Sequence, residues 1–99
     1  MQTIELLNNK RINIQANTLT EIVLNDYVQG FNVLLMQEAN VVIKPLNNLK
    51  QTNETSLEDM EGYLLNSFCR GFELYEQKQF QTILVISDTN TSLQFLNIR

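Results

Sequence analysis

At 99 residues with 43% apolar content, the chain is long enough for one compact core and too short for two. Seven Lys and Arg against eleven Asp and Glu leave a net charge of −4, which disfavours counterion-driven phosphate binding and attraction to anionic lipid. There is no His, so mechanisms built on imidazole are excluded, the Ser-His-Asp and Cys-His nucleophile arrangements among them.

The single cysteine, Cys69, cannot close an internal disulfide, and without His the usual zinc ligand sets cannot be assembled. The start, Met1-Gln2-Thr3-Ile4-Glu5, lacks the basic head and apolar stretch of a signal peptide. The longest apolar runs, 33–36 and 83–86, are far shorter than the roughly 20 residues that cross a bilayer as a helix. These features lead us to expect a cytoplasmic protein with no membrane segment. The sequons Asn53-Glu54-Thr55 and Asn90-Thr91-Ser92 then read as chance matches. Asn and Gln supply 22 residues, scattered between apolar positions rather than gathered in tracts, and read as a compositional bias of the encoding genome.

In chain order, Thr3-Ile4-Glu5-Leu6-Leu7 has β character, and Asn8-Asn9-Lys10 supplies hairpin turn chemistry. Arg11-Ile12-Asn13-Ile14-Gln15 alternates with period two, so Ile12 and Ile14 share one strand face. The stretch 19–37 carries two signals. Thr18-Leu19-Thr20-Glu21 fits a capping box, yet the β-branched residues Thr20, Ile22, Val23 and Val28 and a central Gly30 favour two strands. The second of these, through 31–36, pairs with Val41-Val42-Ile43 as a hairpin about Glu38-Ala39-Asn40. Pro45 ends a strand or marks an edge, and 47–55 forms a loop.

Residues 56–78 read as one long helix. Thr55-Ser56-Leu57-Glu58 supplies a capping box, and Leu57, Met60, Leu64, Phe68, Phe72 and Tyr75 line a single stripe. Gly62 and Gly71 each cost about 1 kcal/mol in that setting. The run 83–86 is apolar on both strand faces, as in an interior strand, and Asp88-Thr89-Asn90-Thr91 turns it into an antiparallel return through 93–98. The expectation is therefore a single α+β domain over 1–99: an antiparallel sheet of N-terminal β segments and a C-terminal hairpin, packed on a helix at 56–78.

Carboxylates are the plentiful ionisable groups. Glu54, Glu58, Asp59 and Glu61 form a block without a basic neighbour, either a solvated helix start or a patch that docks a basic partner surface. Tyr63, Leu65 and Leu74 project off the helix stripe, and Tyr63 and Leu74 become candidate partner-binding residues where the sheet leaves them uncovered. Cys69 reads as a half-buried structural thiol, and Tyr27, Tyr63 and Tyr75 as the rim of the core or of an interface. Lys10 and Arg11 form the one basic pair, with no aromatics interleaved, so direct nucleic-acid binding is disfavoured.

No cofactor, metal or catalytic residue is indicated. The chain reads as a noncatalytic interaction domain for a protein partner, such as a small acidic inhibitor of the phage anti-defence or immunity type that occludes a basic, nucleic-acid-binding partner. A homo-oligomeric assembly subunit, as small as a homodimer pairing through an edge strand, is the second reading. A small-ligand domain or carboxylate enzyme, using groups such as Glu5 and Glu21, is the third.

Overall fold

The computed structural model describes residues 2–6, 11–46 and 62–99. There the protein is built of strands: β1 (Gln2–Leu6), β2 (Arg11–Ile14), β3 (Thr20–Leu35), β4 (Val41–Leu46), β5 (Tyr63–Leu65), β6 (Gly71–Ser87) and β7 (Thr91–Leu96). The α+β expectation is overturned. Within the supposed helix at 56–78, residues 62–78 form β5, a short loop and the first part of β6, and 56–61 lie outside the described residues.

The reason is that Phe72-Glu73-Leu74-Tyr75 satisfies two periods at once. As a strand it turns Phe72 and Leu74 inward against Val33 and Phe31, and Glu73 and Tyr75 outward. That pairing gives the backbone a ladder and Leu74 a core site. A helix interrupted by Gly62 and Gly71 would have had to outweigh both.

The strands form one sheet in the order β2-β7-β3-β6-β4-β5, with β1 parallel to β3 off that path and the other pairs antiparallel. The two long strands carry the architecture. Residues 20–24 of β3 run beside β1 and 82–85 of β6, whereas 31–35 run beside β7 and 71–74 of β6. A first half-sheet (β2, β7, the end of β3, the start of β6) thus faces a second (β1, the start of β3, the end of β6, β4, β5). Their inner residues make one core: Ile12 and Ile14 of β2, Phe31 and Val33 of β3, Leu93 and Phe95 of β7, with Ile22, Val41, Ile43, Leu65, Ile83 and Val85 opposite. Phe31 packs edge-on to Phe80 at 5.9 Å and to Phe95 at 5.1 Å, tying the halves together.

The fold-over is written into two compensating bulges. Between Val23↔Thr82 and Val28↔Phe80 the excess residues are on β3, and between Val28↔Phe80 and Gly30↔Tyr75 they are on β6. The register is the same on both sides, yet the inward positions change parity: 22 and 24 on β3 give way to 31, 33 and 35. The two strands expected over 19–37 are therefore one strand, β3, bent between Val23 and Gly30. Residues 83–86 behave as their apolarity on both faces implies. Ile83 and Val85 enter the main core, while Leu84 and Ile86 join Val42 in a second buried cluster, with Leu19 and Leu46 against it.

Both ends of β3 and of β6 lie at one end of the sandwich. Four connections, 15–19, 36–40, 66–70 and 88–90, cross between the half-sheets there. The expected hairpins are accordingly not formed. β1 and β2 do not pair, the 36–40 turn delivers the chain from β3 to a strand paired with β5 and β6, and 88–90 delivers it from β6 to a strand paired with β2 and β3. A tight turn fixes a change of direction, and the core decides which strand lies alongside.

The amides are used in these crossings. Asn17 adopts φ 56° and its N–H donates to the Ser87 carbonyl at 2.7 Å. Asn90 Oδ1 accepts from Ala16 N at 2.8 Å, and Asn40 donates through N and Nδ2 to the Asp88 carboxylate at 2.9 and 2.7 Å. Each crossing loop holds at least one Asn, so part of the Asn content is structural and not merely compositional. No helix among the described residues is long and apolar enough to cross a membrane.

Candidate functional site

Of the residues singled out from sequence, Glu54, Glu58, Asp59 and Glu61 lie outside the described residues. Tyr63 and Leu74 do not form a shared surface. Leu74 is 2% exposed, opposite Phe31 in the core, and Leu65 is fully buried. Tyr63 is 42% exposed and stands on the rim between β5 and β6. Its ring leans on Phe72 at 5.7 Å, and its hydroxyl donates to Glu76 Oε1 at 2.9 Å. That hydrogen bond, then burial, then the Glu76 charge hold the Tyr63 phenol above its ordinary titration range. Tyr63 thereby joins β5 to β6.

Cys69 is exposed rather than half-buried, because it belongs to the 66–70 loop and not to a helix face. An open groove of about 450 Å³ at the opposite end is lined by Pro45, Leu46, Tyr75, Glu76, Gln77, Lys78 and Phe80. Glu21, considered for a carboxylate pair in a ligand pocket, does not line it. Among the described residues, no three His, Cys, Asp or Glu gather as a metal-holding group.

The chain does build one conspicuous feature at the loop end. Asn66 closes its loop on itself: Phe68 N and Cys69 N donate to Asn66 Oδ1 at 2.9 and 3.0 Å, and Asn66 N donates to the Cys69 carbonyl at 3.0 Å. The loop is then fastened to β3, with Leu35 N donating to the Arg70 carbonyl at 2.6 Å. This double fastening presents Phe68 with 97% of its surface in solvent. Leu34 (42% exposed) and Met36 (37%) stand on the adjoining outer face of the first half-sheet.

Two glycines shape that face. Leu34 lies opposite Gly71 with its Cδ2 where a Cβ would come, and the Tyr75 ring similarly lies over Gly30. Each missing side chain lets its cross-strand neighbour rest flat on the sheet, an arrangement known to stabilise strand glycines. Along one row run Arg11, Gln94, Leu34 and Gly71; along the next toward the bend lie Leu96, Asn32 and Glu73. Arg99 donates from Nη2 to Glu73 Oε1 at 2.8 Å.

Sequence reasoning assigned Phe68 to a helix stripe and missed this loop. The usable signal was the Asn66-Ser67 pair before Gly71, turn chemistry that brackets Phe68 on both sides. No family model, curated protein or solved structure matches the chain.

Proposed function

We propose that this protein is a non-enzymatic interaction domain that holds a partner protein at the loop end of its sandwich. The observation carrying this reading is the near-complete exposure of Phe68 on a loop held by its own backbone and by Asn66. An aromatic side chain left in water gains nothing for the fold. Holding it rigid reduces the ordering cost of inserting it into a partner. Binding residues in sandwiches commonly sit on such loops, carried by a stiff scaffold. We place the protein in the cytoplasm, where an exposed free thiol such as Cys69 stays reduced.

The test compares wild type with F68A in affinity capture, alongside thermal denaturation. F68A is expected to keep the wild-type melting temperature and to lose a partner that wild type retains. Equal capture by both proteins would overturn the reading. The finer version, a small inhibitor that occludes a basic groove, rests on the acidic residues of the sequence. It is tested separately by E58K/D59K/E61K, which should then release a basic partner.

Self-assembly is a second reading, favoured by β2, which among the described residues pairs only with β7 and leaves one edge open. Sedimentation velocity distinguishes it, since an assembly subunit sediments as a dimer or larger species across the concentration range.

A further inference from the structure

We draw no further inference here: the strongest candidate, the open groove between the end of β4 and the bend of β6, lined by Pro45, Leu46, Tyr75, Glu76, Lys78 and Phe80 among others, carries nothing because nothing in the structure shows what covers it.

Discussion

Tyr63 shows how one side chain can look like a docking residue and act as a seam. Its hydroxyl is a donor only while protonated, so the folded state favours the neutral phenol and its titration moves up from the ordinary 10.0. The sign follows: this contribution to stability is fully present below the ordinary value and is lost as pH rises through the raised one. Substituting E76Q removes the charged acceptor. In a chain also carrying Y27F and Y75F, the phenolate absorbance of Tyr63 should then titrate at lower pH than with Glu76 present. An unchanged midpoint would show that Glu76 does not set it. Leu74 is the opposite case, placed on a surface by helical reasoning and buried by a strand. L74A should cost about 2–5 kcal/mol in chemical denaturation, whereas F68A should cost almost nothing.

At the scale of elements, the two outward-facing strand glycines differ in what surrounds them. A Cβ on Gly30 would come within 2.7 Å of the Leu74 carbonyl oxygen, a backbone atom of the paired strand that cannot yield without moving the ladder. On Gly71 the closest atom is the Leu34 Cδ2 at 2.7 Å, the far end of a flexible side chain, with the Val33 carbonyl oxygen at 3.0 Å. G30A should therefore destabilise by about 1–3 kcal/mol and G71A by less, as measured by equilibrium denaturation. The crossing loops make their own electrostatic prediction. Hydrogen bonds from the Asn40 side chain and backbone, and from Thr89, hold the Asp88 carboxyl below its ordinary 3.8. Its stabilising contribution is thus present above that value and fades as pH falls through the lowered one. Melting temperatures of wild type and D88N should differ at neutral pH and converge in strong acid. A difference that persisted there would show that the clamp does not depend on charge.

For the molecule as a whole, the pairing is overwhelmingly non-local. Among ladders between strands consecutive in the chain, β4 with β5 is the sole case described, and β2 finds β7 across most of the sequence. Loops must close before such pairs return any energy, so folding should take milliseconds to seconds rather than microseconds. Stopped-flow refolding checks this directly. The same topology explains why both ends of β3 and β6, and so all four crossing loops, meet at the end that carries Phe68. A sandwich made by folding one ribbon over itself concentrates its connections opposite the fold.

The sequence by itself determined which segments are apolar and how they alternate: Ile12 with Ile14, and the two-faced run at 83–86. Those are local properties, set by side-chain type and a period of two. It also determined the absence of imidazole and the acidic balance. Only the tertiary structure decided that Phe72 and Leu74 obey the strand period, that no expected hairpin forms, and that Leu74 is core while Phe68 is exposed. Each of those turns on a partner distant in the chain. A short apolar stretch carries the periods of helix and strand together until β3 lies beside it, and β3 reaches that position through contacts no local window contains.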